Sequence, residues 1–134
     1  MKTTTVLLIA GAIIFLDQLS KYIVRTAGHY TTNTGIAFGL LPNNNLVFLL
    51  LTTTIILILG YYAIKYPSLG LALLLGGAIG NLIDRVVLGH VIDFIRIWLW
   101  PSFNLADAAN TIGVIIIILK NSFKNTRNYF SKKH

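Results

Sequence analysis

Four apolar runs of roughly membrane-spanning length, at about 4–24, 46–64, 69–88 and 104–119, occupy most of this 134-residue chain. A helix needs ~20 apolar residues to cross the hydrocarbon of a bilayer, so four crossings leave only short connections and no separate soluble module. Composition agrees: 55% of the residues are hydrophobic and 11% charged, against about 25% charged in an ordinary soluble domain. The expected fold class is therefore an all-α membrane protein of four transmembrane helices, a single integral domain over residues 1–134. The first run starts after basic Lys2, as a signal peptide would, but Asp17 and Lys21 lie inside it, so retention as a helix is expected.

Charge orients the four runs. Eleven Lys and Arg oppose four acids, all Asp, for a net charge of +7. Positive residues collect on the cytoplasmic side of membrane helices. The N-terminus, the connection at Lys65 and the basic tail 120–134 share one side and hold Lys2, Lys65, Lys120, Lys124, Arg127, Lys132 and Lys133 without an acid. The other side holds Lys21, Arg25, Arg85 and Arg96 against Asp17, Asp84, Asp93 and Asp107. Both termini are expected in the cytoplasm, with segments 25–45 and 89–103 outside. All four acids then fall near one membrane face. Ionisable groups inside a membrane are costly and usually face a bundle interior or a cavity, so a functional cluster is expected there.

Each motif has a structural and a functional reading. Asp17 and Lys21 stand at i and i+4 on one helix face in the favourable order. They suit an interfacial ion pair with Lys21 reaching toward the headgroups, or the positioning of a substrate. Between Tyr30 and Leu40, Ile36, Phe38 and Leu40 alternate with small residues, the pattern of a half-buried extended segment that would aim Asn33 at a site; an ordinary interfacial loop fits as well. Gly76 and Gly80 permit close helix approach. Asn81, Asp84 and Arg85 follow on one stripe, where Arg85 would hold Asp84 ionised. Asn104 suits the cap of the fourth helix, and Asp107 its first turn, where an acid complements the helix dipole. Asp93 is flanked by Val91, Ile92, Phe94 and Ile95. Two carboxylates in such a partly dry setting can share one proton, the arrangement of aspartic proteases, one as base toward water and the other as acid toward the carbonyl.

Other chemistries fit poorly. The chain has no Cys and no Glu, and its three His are scattered without a His-Glu-x-x-His pattern, so no metal and no cofactor is expected. No serine sits in a Gly-x-Ser-x-Gly elbow. The basic tail after a membrane helix meets anionic membrane lipid more simply than it meets nucleic acid, and no nucleic-acid partner is expected.

Taken in order, five segments resemble the lipoprotein signal peptidases, or signal peptidase II, of bacteria. They are Asp17-Gln18-x-x-Lys21, Asn33-x-Gly35-x-Ala37-Phe38, Gly76-Gly77-Ala78-x-Gly80-Asn81-x-x-Asp84-Arg85, Val91-Ile92-Asp93-Phe94 and Phe103-Asn104-x-Ala106-Asp107. The resemblance implies a membrane aspartyl endopeptidase that removes the signal peptide from diacylglyceryl-modified prolipoproteins, cutting just before the lipidated cysteine. It implies Asp93 and Asp107 as the catalytic pair. Asn33, Gly77, Asn81, Arg85 and Asn104 would line or shape the substrate site, with Asp17, Lys21 and Asp84 supporting it. It also implies a small extracytoplasmic β-like cradle, a place in the bacterial cytoplasmic membrane with the site near the outer face, and action as a monomer. Ile92 stands where that block commonly has valine, and the connection from Asp93 to Asp107 is short for the family. Two readings from other classes are a small proton-coupled exporter working through Asp17 and a non-catalytic scaffold subunit.

Overall fold

The computed structural model of the chain describes residues 1–34 and 45–131. The alternating stretch from Gly35 to Leu40 lies outside them. Four long helices make up the fold: α1 (Thr3–Ala27), α2 (Asn45–Lys65), α3 (Leu69–Leu88) and α4 (Leu105–Ser131). All four contain a stretch long and apolar enough to span a membrane. Two short strands, β1 (Thr31–Asn33) and β2 (Val91–Asp93), pair antiparallel in the register Thr31↔Asp93, Thr32↔Ile92 and Asn33↔Val91. The expected class, four membrane helices with a small sheet at one end, is the one observed.

Local chemistry sets the ends. α1 stops at Gly28, whose φ of 74° places it in the left-handed region and whose N–H returns to the carbonyls of Arg25 and Val24, a glycine C-cap. α3 is opened by Ser68, whose hydroxyl accepts from the Leu71 N–H, and is closed by Gly89 at φ 77°. Only Tyr66, Pro67 and Ser68 separate α2 from α3, and so short a connection makes the two antiparallel neighbours.

α3 is the central helix and packs on α1, α2 and α4. Lipid supplies no hydrophobic force to drive helices together, so close van der Waals approach has to do it. The small residues of α3 provide that approach on two sides. A methyl group on Gly76 would lie 2.9 Å from the Ala10 carbonyl of α1, and one on Gly77 would fall 2.4 Å from the Ala106 carbonyl of α4. An apolar cluster of Val6, Ala10, Ala63, Ala72 and Leu75 fills one part of the bundle. Buried polar residues fill the other: Asp17, Lys21, Asn81, Asp84, Asp93 and Asn104. Large apolar side chains such as Leu8, Phe15, Leu50, Leu57 and Val87 point outward, as a lipid-facing surface requires.

Candidate active site

The polar region is built around the Lys21 ammonium, which is 2% exposed. Its three N–H donors meet three acceptors: Asp17 Oδ2 at 2.7 Å, Asp84 Oδ2 at 2.9 Å and Asn81 Oδ1 at 3.0 Å. Desolvating one cation and two anions is tolerable only when their remaining valences are filled. Here Asp17 Oδ1 accepts the Ala106 N–H at 2.9 Å, Asp84 Oδ2 accepts the Ile92 N–H at 3.1 Å, and Gln18 Nε2 donates to Asp84 Oδ1 at 3.0 Å and to the Gly80 carbonyl at 3.1 Å. The cluster therefore ties α1 to α3, to β2 and to the first turn of α4. Two expectations change. The Asp17–Lys21 pair forms, but it is buried rather than snorkelling, because Asp84 and Asn81 on α3 supply the ammonium with inward partners. The cation that pairs Asp84 is Lys21, and the Arg85 guanidinium instead lies 5.6 Å from the centre of the Phe48 ring.

Lys21 also fixes the next layer. An ammonium only donates, so the Asn81 carbonyl must face it and the Asn81 amide must turn away, toward Asp107 Oδ1 at 2.8 Å. Asn104 is fixed in the same manner. Its Oδ1 accepts the Asp107 N–H at 2.9 Å while Asp107 Oδ2 accepts the Asn104 N–H at 3.2 Å, a reciprocal capping box at the start of α4. That leaves Asn104 Nδ2 to donate to Asp93 Oδ1 at 2.8 Å and to Asn81 Oδ1 at 3.0 Å. The capping and the functional readings of Asp107 are thus compatible: one carboxylate closes the helix start and faces the site.

Asp93 ends β2, where its carbonyl accepts from the Thr31 hydroxyl at 3.1 Å and its Oδ2 from Asn33 Nδ2 at 3.1 Å. Asn33 opposes Val91 in the sheet register, which sets it beside the carboxylate. Burial, with the charge of Asp107 adding to it, pushes the Asp93 carboxyl up to about 6, against the pull of the Asn33 and Asn104 hydrogen bonds. Asp93 and Asp107 open together onto a cleft of about 520 Å³ whose wall includes Asn33, Asn81, Arg85 and Asn110. A pair of acids of which one gives up its proton only near pH 6, beside space for a peptide, can perform acid and base catalysis on one carbonyl. No cluster of three or more metal-ligating side chains occurs among the described residues.

The family model for signal peptidase (SPase) II matches residues 9–123. The chain belongs to the signal peptidase II family. It is 44% identical to the lipoprotein signal peptidase of Moorella thermoacetica, covering 83% of this chain and 88% of that one. The lipoprotein signal peptidase of Caldanaerobacter subterraneus subsp. tengcongensis is 39% identical, with coverages of 83% and 91%. A solved bacterial membrane enzyme, determined by the in meso method at 2.3 Å resolution, superposes with a TM-score of 0.83 at 36% identity over 93% of this chain and 91% of that one. The protein is accordingly a multi-pass bacterial membrane protein and an aspartic peptidase.

In this signal peptidase II, the residues singled out from the sequence converge. Asn33, Asn81, Arg85, Asp93 and Asp107 line the cleft, and Asn104 bonds to both acids. Gly77 lies behind them, where α3 touches α4, and Asp17, Lys21 and Asp84 sit together outside the cleft wall. Two residues were not singled out. Gln18 bridges Asp17, Gly80 and Asp84, and its adjacency to Asp17 was the available signal. Asn110 lines the cleft with its Oδ1 buried and without a hydrogen-bond partner among the described residues; it stands at i+3 from Asp107, on the same helix face.

Proposed function

We propose that this chain removes the signal peptide from diacylglyceryl-modified prolipoproteins, cutting just before the lipidated cysteine, with Asp93 and Asp107 as its catalytic pair. The observation that carries the assignment is that both carboxylates face one cleft and both bind Asn104. Asp93 holds the proton the pair shares and presents it to the scissile carbonyl oxygen. The Asp107 carboxylate, fixed by Asn81 and the Asn104 N–H, takes a proton from a water as its oxygen attacks the carbonyl carbon. That proton then passes to the leaving amino group of the lipidated cysteine. Substrate filling the cleft displaces water, which favours retention of the proton on Asp93. Asn33 and Asn104 hold the Asp93 carboxyl in place, and Arg85 lies on the cleft wall to receive peptide carbonyls.

The topology that suits this chemistry places both termini in the cytoplasm and the site near the outer face of the bacterial cytoplasmic membrane. The support is the acid-free set of cations at the opposite helix ends. The cysteine to be spared carries its lipid in the outer leaflet, so the bond to be cut lies at that depth. Every residue the mechanism uses comes from one chain, and the enzyme acts as a monomer among membrane lipids. The test is cleavage of a diacylglyceryl-modified precursor by purified protein. Asp93→Asn and Asp107→Asn should each abolish it while the protein still inserts and purifies, and full activity in either variant refutes the pair.

A further inference from the structure

The connection between Asp93 and Asp107 lines the cleft through Trp100, Pro101, Ser102 and Phe103, and its tip carries a further feature. Ile95 and Phe103 pair as an isolated antiparallel bridge, with N–H to carbonyl distances of 2.9 and 3.0 Å in the two directions. Above that stem the chain turns through a Trp100 N–H to Ile97 carbonyl bond of 2.7 Å. The turn exposes four large apolar side chains in succession: Ile97, Trp98, Leu99 and Trp100. Trp98 is 97% exposed and Leu99 92%, so neither packs on the protein. Trp98 also has a φ of 27°, in a region that a bulky side chain enters only at a cost. An exposed apolar patch of this kind marks an interaction surface.

The surroundings say which. The tip is continuous with the lipid-facing side of α4 through an apolar groove of about 460 Å³ that includes Ile97, Trp100, Phe103 and Ile112. Below it Ile112, Ile115 and Ile118 are exposed along a membrane-spanning helix. Tryptophan concentrates at the level of lipid headgroups, where its ring is part apolar and part polar. Exposed Arg96 stands at the base of the tip, placed to meet lipid phosphate. We propose that residues 97–100 are an interfacial anchor that inserts into the leaflet on the side of the site and fixes the depth of Asp93 and Asp107 in the membrane. The depth-setting half rests on the reading of the site as a lipoprotein peptidase: the lipid on the substrate sets the depth of the bond to be cut, and the anchor sets the depth of the acids.

The chain's two tryptophans are both in the tip, so fluorescence excited at the red edge, where tyrosine does not absorb, reads it alone. A Trp100→Phe variant, reconstituted in phosphatidylcholine and phosphatidylglycerol vesicles, leaves Trp98 as the only tryptophan. Lipids brominated near the glycerol end of the acyl chain should quench most of its emission, lipids brominated near the chain end should quench less, and aqueous acrylamide should have little effect. Emission quenched by acrylamide and indifferent to brominated lipid overturns the anchor. Emission shielded from both quenchers also overturns it and points to a second copy of the chain as the cover. Asp93→Asn should leave the quenching unchanged, so the anchor stands or falls apart from the catalytic assignment. Trp98→Ser with Leu99→Ser should lower precursor cleavage in vesicles several-fold, whereas Trp98→Phe with Leu99→Ile should retain it. Undiminished cleavage by the serine pair refutes the depth-setting role.

Discussion

Replacing Lys21 by Met tests the account of the buried cluster most severely. Methionine matches the length of the lysine stem, so the change removes the charge and three donors with little change in volume. Asp17 and Asp84 then remain, 0% and 2% exposed, without the cation that lies 2.7 and 2.9 Å from them. Removing one partner of a buried ion pair costs about 3–5 kcal/mol. Two stranded carboxylates put this variant toward the upper end, which corresponds to a loss on the order of 10 °C in melting temperature for a chain of this size. Adding Asp17→Asn to Lys21→Met should recover part of the loss, because one of the uncompensated charges is gone and the Ala106 N–H keeps an acceptor. The assay is thermal unfolding of purified protein in detergent at neutral pH. A Lys21→Met protein that melts with the parent at neutral pH refutes the reasoning, as does a double variant less stable than the single one.

Three further outcomes follow from the same contacts. Gly77→Ala places a methyl group 2.4 Å from both the Ala106 carbonyl and Asn110 Oδ1, so α3 and α4 must separate; it should lower the melting temperature and the turnover together, and wild-type values for both would contradict the packing described. Because the folded-state pKa of Asp93 is raised from 3.8 to about 6, ionising it costs the folded state; the stability it contributes is fully present below about pH 4, is lost as pH rises to about 6 and is level above that. Asp93→Asn should lack this slope, so the melting-temperature difference between variant and parent should shift toward the variant from pH 4 to 6, and a constant difference would count against the shift. Asn110 presents at the cleft a buried oxygen without a partner among the described residues, so Asn110→Ala should raise the KM for precursor with normal insertion, and an unchanged KM would remove it from the substrate wall.

Much of this was legible in the sequence because membrane helices announce themselves by length and apolarity, and because an i, i+4 pair such as Asp17 and Lys21 is a local property. The capping box of Asn104 and Asp107 was legible for the same reason. What the sequence hid was long-range partnership. Arg85 follows Asp84 directly and is the obvious cation for it, yet successive helix residues point about 100° apart, and Lys21, 63 positions earlier, is the residue that reaches Asp84. Gly80 was readable as half of a helix-packing pair. Its actual neighbour is the Asp17 carboxylate, 2.7 Å from where a methyl group would sit, so the glycine makes room for a charged side chain rather than for another backbone.

The four aspartates differ by their donors, and that difference sorts them into two jobs. Asp17 and Asp84 each bind the ammonium of Lys21 and a backbone N–H. Those partners hold elements together, and neither carboxylate is on the wall of the cleft that Asp93 and Asp107 share. Among the described residues, the neutral amides of Asn33 and Asn104 donate to the carboxylate oxygens of Asp93, and neutral donors favour the ionised form less than a cation does. Burial therefore prevails at Asp93, and its carboxyl is held near 6. Asp107 is bound by the Asn81 amide and by the Asn104 N–H, and the direction of the first is imposed by Lys21. The cation thus stays out of the cleft while ordering it through Asn81.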